Sequence, residues 1–301
     1  LLTCVIHDTP LEPGELLSLQ LVENMVREDL RPIEQANEGY DVVYASVNFA
    51  LGQNFEDLIL TGSAVNAIGN NAVNHILGNG NDNFIDGRGG ADAMSGGAGD
   101  DTYVVDNVGD VIGERGGEGI DRVRSSVSYA LGANVENLYL TGTGATSGTG
   151  NDSANYMTGN DSANTLVGSG GNDTLVGNGG NDTLVGGAGI DMLTGGAGAD
   201  KFMFSSVSEA STSGNVRDAI TDFSHAQGDL IDLSKIDANG ADAGEGAFKL
   251  MSVFDGTHGA LIAAAQNGNW LVQGDINGDK VADFAILVTS SSQLVAADFL
   301  L

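Results

Sequence analysis

The sequence predicts an all-β fold: two arrays of short coils stacked as parallel strands, a β-sandwich-like C-terminal cap, and a short N-terminal helix leading in. Three observations predict it. A nine-residue period runs through two separate stretches of the chain. Strand-like segments with alternating apolar residues lie beside each stretch. Glycine is abundant, at 46 of 301 residues, while proline is scarce, at three.

The period is sharpest from Gly168 to Met203, "GSGGNDTLVGNGGNDTLVGGAGIDMLTGGAGADKFM". Asp173, Asp182, Asp191 and Asp200 are nine residues apart, and Leu175, Leu184, Leu193 and Phe202 each follow two residues later. "GNDSANYMT" and "GNDSANTLV" extend the frame back to Gly150, giving six tandem units, with Asn155 and Asn164 in the aspartate position. A second array, Gly69 to Val104, holds four units. Its sixth positions are Asn74, Asn83, Asp92 and Asp101, and its eighth are Ile76, Ile85, Met94 and Tyr103.

A longer repeat lies above this one. "EGYDVVYASVNFALGQNFEDLILTG" from Glu38 and "EGIDRVRSSVSYALGANVENLYLTG" from Glu118 match at an offset of 80 residues. Both alternate like strands and are rich in β-formers. Near the start, Leu17, Leu21 and Met25 with Val22, Val26 and Leu30 predict a helix over 14–30. After Phe204 the frame ends, and "RDAITDF", "DLIDLS", "NWLVQGDI" and "DFAILV" read as strands. The expected organisation is a lead over 1–33 and a first region over 34–149 that contains the array 69–104. The second array spans 150–204 and a cap spans 205–301.

The consensus is G-G-x-G-x-D-x-U-x, with U a large apolar residue, a known calcium-binding coil repeat. Glycines at positions 1, 2 and 4 open backbone angles closed to other residues and turn carbonyl oxygens toward one point. The aspartate adds a charged hard oxygen, the ligand type calcium prefers. Two units make one 18-residue coil, so Asp173 pairs with Asp191 and Asp182 with Asp200. Carbonyls come from the loops of Gly168, Gly171, Gly177, Gly180, Gly186, Gly189, Gly195 and Gly198. Continuing the frame pairs Asp92 with Asp110 and Asp200 with Asp218. Asn83–Asp101 and Asn164–Asp182 carry half the charge and should bind less well. For the asparagine coils, hydrogen bonding along the stack is the favoured expectation.

Forty-one acidic against 11 basic residues give a formal charge of −30. So acidic a surface excludes nucleic acid and anionic membrane as partners. No apolar run is long enough to span a bilayer. The single cysteine, Cys4, allows no internal disulfide. The first residues do not read as a Sec signal peptide, and an opening without methionine fits a processed product or fragment.

Residues 69–104 and 150–203 resemble the repeats-in-toxin family of type I secreted bacterial proteins. From "GADKFMF" onward, "RDAITDFSHAQGDLIDLSKID", "GDINGDKVADFAILV" and the terminal "DFLL" resemble the C-terminal domain of serralysin-type metalloproteases. The resemblance implies a right-handed parallel β-roll, bound calcium, an extracellular location, and export by type I secretion machinery that reads an uncleaved C-terminal signal. Calcium ions, that machinery, and cell-surface or matrix polysaccharide are the expected partners. No catalytic constellation accompanies the rolls. His7, His75, His225 and His258 lie far apart, so no His-Glu-x-x-His zinc motif exists, and no G-x-S-x-G elbow occurs. Asp275, Asn277, Asp279 and Asp283 match part of an EF-hand loop, but Lys280 and Ile286 replace its glycine and glutamate. The alternative there is a tight turn between strands. The expected function is that of a secreted, calcium-folded roll, adhesive or matrix-associated. The rival is the calcium-binding and secretion region of a protease, lipase or epimerase. An ice-binding roll needs a long flat threonine array, which Thr174 and Thr183 do not supply.

Overall fold

The computed structural model describes residues 4–7, 39–210, 217–239 and 246–301. The helix expected over 14–30 lies outside them. The described regular structure is all β apart from two short 3-10 turns, Val207–Glu209 and Ala296–Asp298.

The nine-residue unit folds as it does because its two halves have opposite demands. Thr-Leu-Val favours an extended backbone with the leucine facing one side. The glycine-rich half turns the chain back. Each unit therefore supplies one short strand, and alternate units fall on opposite faces. Leu175 pairs with Leu193 on one face, and Leu166 with Leu184 on the other, all in parallel register. Between the faces the eighth positions stack. Leu166, Leu175, Leu184, Leu193 and Phe202 are all 0% exposed, each burial worth about 1.5–3 kcal/mol.

The chain divides into two compact units, Leu1–Val127 with Gly132–Asn137, and Ser128–Leu131 with Leu138–Leu301. In the first, one sheet face runs through Val42–Ala45, Asp57–Leu60, His75–Leu77, Ala93–Ser95 and Val111–Ile112. The strand Cys4–His7 pairs antiparallel with Val42–Ala45. The opposite face runs through Phe49–Ala50, Asn66–Ile68, Phe84–Asp86, Thr102–Val105 and Arg122–Ser125. Ile76, Ile85 and Tyr103 are 0% exposed and Met94 2%. The 80-residue repeat is visible in side chains too: Asp41 N–H donates to Glu56 and Asp121 N–H to Glu136, each at 2.8 Å.

In the second unit both roll faces continue into the C-terminal region. Lys201–Met203 pairs parallel with Leu230–Asp232, which pairs with Phe299–Leu300. Met192–Ala197 pairs with Ala219–Ile220, which pairs with Phe284–Val288. That strand, Asn269–Asp275 and Ala260–Gln266 form an antiparallel meander.

The EF-hand-like stretch is the loop between two of these strands. Asp275 accepts from Gly278 N–H at 2.8 Å and Lys280 N–H at 2.9 Å, and Asp283 accepts from Ile276 N–H at 2.7 Å. Its carboxylates close a turn, as the alternative reading has it. At the terminus, Asp298 is 1% exposed, meets His225 Nδ1, and accepts from Val295 N–H at 2.7 Å. "DFLL" is thus built into the second unit.

Candidate metal centres

Each array aspartate is placed by the strand that follows it, and its two oxygens have different fates. Oδ1 accepts the backbone N–H of the sixth residue one coil earlier. Asp191 takes Asp173 N–H and Asp200 takes Asp182 N–H, both at 2.8 Å, and Asp110 takes Asp92 N–H at 3.0 Å. So the sequence pairs Asp173–Asp191, Asp182–Asp200 and Asp92–Asp110 are brought together. Oδ2 points back toward the first glycine of its own loop in Asp92, Asp101, Asp173, Asp182, Asp191 and Asp200. In Asp92, Asp101, Asp173, Asp182, Asp191, Asp200 and Asp218 this oxygen is shielded from solvent and accepts no hydrogen bond. All seven residues are at most 2% exposed.

Glycine at position 1 makes room for that oxygen: a Cβ at Gly168 would collide with Asp173 Oδ2 and with the Gly186 carbonyl. Gly189, at φ +147°, brings position 4 against the Gly171 carbonyl of the previous coil. Each loop thus gathers an unsatisfied carboxylate oxygen among peptide carbonyls. A buried carboxylate oxygen with no partner is costly, and a hard cation is the partner such a donor set fits.

The asparagine coils are built differently. Asn74, Asn83, Asn155 and Asn164 each accept the N–H of position 2 in their own loop, from Asn70, Asn79, Asn151 and Asn160 at 2.7–2.8 Å. The amides of Asn74, Asn83 and Asn164 donate to carbonyls of the preceding coil, as Asn164 does to Thr146 O at 3.1 Å. In the aspartate coils, position 2 has a left-handed backbone even where it is not glycine: Arg88 at +60°, Ser169 at +81° and Asn178 at +74°. That turns the peptide and leaves Oδ2 without its donor. Asp110 behaves like the asparagines, its Oδ2 accepting Asp106 N–H at 3.2 Å and Asn107 N–H at 3.1 Å.

Burial is the first cause of the raised carboxyl pKa values along the ladder, with neighbouring carboxylates adding to it. Asp92, Asp101, Asp173 and Asp218 are pushed up to about 7, and Asp182 and Asp121 to about 6. Asp191, Asp200 and Asp229 are raised as well.

The ends of the arrays correct the frame arithmetic. Asp218 does not pair with Asp200 but accepts Asp191 N–H at 2.9 Å, and Asp200 N–H goes to Asp229 at 3.0 Å. The chain around Val207–Glu209 is extra length inserted before the next coil. In the first array, Asp101 N–H goes to Asp121 at 2.9 Å, 20 residues on. Asp121 and Asp229 are absent from the pairs read by strict phase. The signal for Asp121 was present in "GGEGIDRVR", a full consensus unit two residues out of frame, and "GDLID" marks Asp229 more faintly. Glu114 and Asp222, which accept the N–H of Gly96 at 3.1 Å and Gly195 at 2.9 Å, carry no repeat signal.

Residues 68–103 match the family profile of the RTX calcium-binding nonapeptide repeat, four copies. Residues 163–301 match that of the peptidase M10 serralysin C terminal. No curated protein matches the chain. Among solved structures, the AlgE6R3 subunit of the Azotobacter vinelandii mannuronan C5-epimerase is 28% identical at a TM-score of 0.37. The match covers 49% of this chain and 78% of that one. The extracellular lipase LipA from Serratia marcescens is 17% identical at a TM-score of 0.30, over 81% of this chain; the chain spans 40% of the lipase. The matched regions are repeat and secretion-associated domains rather than catalytic ones. Domains of these two types are typical of secreted extracellular proteins. Among the described residues no helix is long and apolar enough to cross a membrane. RTX nonapeptide repeats bind calcium, and this chain is an RTX protein with a serralysin-like C-terminal domain.

Proposed function

We propose that the chain is exported unfolded through a type I channel and is folded outside the cell by calcium, to work there as an adhesive or matrix-associated roll. The observation that carries this reading is the ladder of buried aspartate oxygens without hydrogen-bond partners. The residues that would hold the ions are Asp92 with Asp110, Asp173 with Asp191, Asp182 with Asp200, Asp191 with Asp218, and Asp200 with Asp229. Peptide carbonyls of the glycine loops, such as those of Gly171 and Gly186, complete the donor sets. When bound, calcium supplies positive charge to carboxylates that the fold brings together. The protein's own part is to hold one oxygen of Asp92, Asp173, Asp182, Asp191, Asp200 and Asp218 on a backbone N–H and leave the other free, while Asp110 and Asp229 rest both oxygens on N–H groups and add charge beside them.

In a calcium-poor cytosol the net charge of −30 opposes collapse, which keeps the chain threadable. The terminal Asp298-Phe-Leu-Leu supports the export reading through its likeness to the family's signal. Deleting Asp298 to Leu301 tests it. Export through a type I channel should be lost, while the purified truncated chain, given calcium, still forms its arrays. Normal export of the truncated chain would remove the signal reading and leave these residues a purely structural part of the cap.

A second reading, in which the chain is the C-terminal region of an extracellular enzyme, is favoured by the serralysin-type match over residues 163–301. The intact mass of the natural secreted protein separates the two: about 30.6 kDa for the stand-alone roll, much more for the enzyme.

A further inference from the structure

We propose that Asp101, Glu114 and Asp121 form a three-carboxylate calcium site at the exit of the first roll, different in kind from the two-aspartate pairs. The proposal rests on the calcium reading of the rolls and adds a site that the nonapeptide phase does not contain. One carboxylate oxygen from each residue lies within 4.8 Å of the others. Asp101 and Asp121 are each 1% exposed. Asp101 Oδ2 and Glu114 Oε2 are shielded from solvent and accept no hydrogen bond.

Glu114 is held in place from its other oxygen. Oε1 accepts Gly96 N–H at 3.1 Å and the hydroxyl of Tyr103. Tyr103 occupies the eighth position, where the second array has mainly leucine, and it is 0% exposed. It spends its one polar atom on this glutamate and on Gly96 N–H. A tyrosine in an apolar stack therefore serves to fix a carboxylate whose second oxygen has no partner.

The second array is an internal comparison. Its exit repeats the same contacts with every offset nine residues longer: 27 against 18 for Asp218 and Asp110, 29 against 20 for Asp229 and Asp121, and 27 against 18 for Asp222 and Glu114. There the counterparts of Glu114 and Asp121 are sealed. Asp222 accepts Gly195 and Gly196 N–H at 2.9 and 2.8 Å, and Asp229 accepts Asp200 and Ser224 N–H at 3.0 and 2.8 Å. Among the described residues, Asp101, Glu114 and Asp121 are the one group of three carboxylates with oxygens this close, and Glu114 leaves its second oxygen bare where Asp222 does not. Three like charges this close repel strongly unless a cation joins them. Calcium affinity rises with the number of charged ligands, so this site fills before the two-aspartate pairs.

Terbium luminescence tests it, because Tb3+ takes calcium's oxygen sites and is excited by a tyrosine beside it. The full chain, folded in calcium, is titrated with Tb3+ under tyrosine excitation, followed by calcium competition. The tightest phase should emit strongly. Tyr103→Phe, which keeps all three carboxylates, should lose most of that emission with unchanged metal count. Glu114→Gln should weaken the phase by about tenfold or more, and Asp222→Asn should leave it as it is. Unchanged Tb3+ affinity in Glu114→Gln, or full emission in Tyr103→Phe, would overturn the site. If Glu114→Gln does not fold, Tyr103→Phe decides. A chain that answers neither Tb3+ nor calcium in any variant would instead defeat the calcium reading of both rolls.

Discussion

Asp191 joins both parts of the ladder chemistry in one side chain. Oδ1 accepts Asp173 N–H at 2.8 Å, while Oδ2 is buried with no hydrogen-bond partner. The asparagine coils show what happens when the second oxygen becomes an amide: Asn164 keeps its place and donates to Thr146 O. Asp191→Asn should therefore act with opposite signs in the two states. Calcium affinity at the pairs it joins should fall by more than about tenfold, while the calcium-free fold should gain about 1 kcal/mol or more, since a costly bare oxygen is gone. Isothermal titration, and chelated melting in a protecting osmolyte that restores a transition, check both signs on the same variant. Asn155→Ala, in a coil closed by its own hydrogen bond, should change metal stoichiometry little. A loss of bound calcium equal to that of Asp191→Asn would show that the asparagine loops bind metal as well.

At the scale of the coil, the raised carboxyls couple folding to protons. Asp92, Asp101, Asp173 and Asp218 titrate near 7 in the folded chain, against about 4 when unfolded. The folded state thus binds more protons, and stability falls as pH rises through that interval. In chelator, the rolls should gain stability as pH drops from about 8 to 5. With calcium present, protons compete for the same oxygens, so metal affinity should fall over that interval. Melting temperature against pH in calcium, and recovery of β signal against pH in chelator, should run in opposite directions; changes in the same direction would mean that these carboxylates are not the ligands.

The coil was also the most legible scale in the sequence. An aspartate and a leucine in fixed phase define the strand, the inward residue and the pairing across one coil, and Leu175 over Leu193 follows directly. What phase could not reach is where it breaks. Two extra residues before Gly116 hid Asp121, and the longer insertion at Val207–Glu209 moved Asp218 from Asp200 to Asp191. The left-handed backbone of Ser169 was hidden as well, because serine has no preference for it, whereas asparagine, as at Asn178, enters that region more readily.

For the molecule as a whole, the account makes calcium the missing counter-charge of a chain that is otherwise too acidic to close. Each occupied site at a hundredfold excess over its dissociation constant adds about 2.7 kcal/mol, so a few sites rival the stability of an ordinary domain. Magnesium should not substitute, since it demands a tighter octahedral shell than these loops of carbonyls and carboxylates provide. The most direct test is circular dichroism and thermal melting of the chain at neutral pH in excess chelator, then in millimolar calcium, then in millimolar magnesium. The account predicts loss of β signal and no cooperative transition in chelator from Gly150 onward, recovery of both in calcium, and no recovery in magnesium. A β spectrum and melting transition that survive thorough chelation unchanged would contradict it.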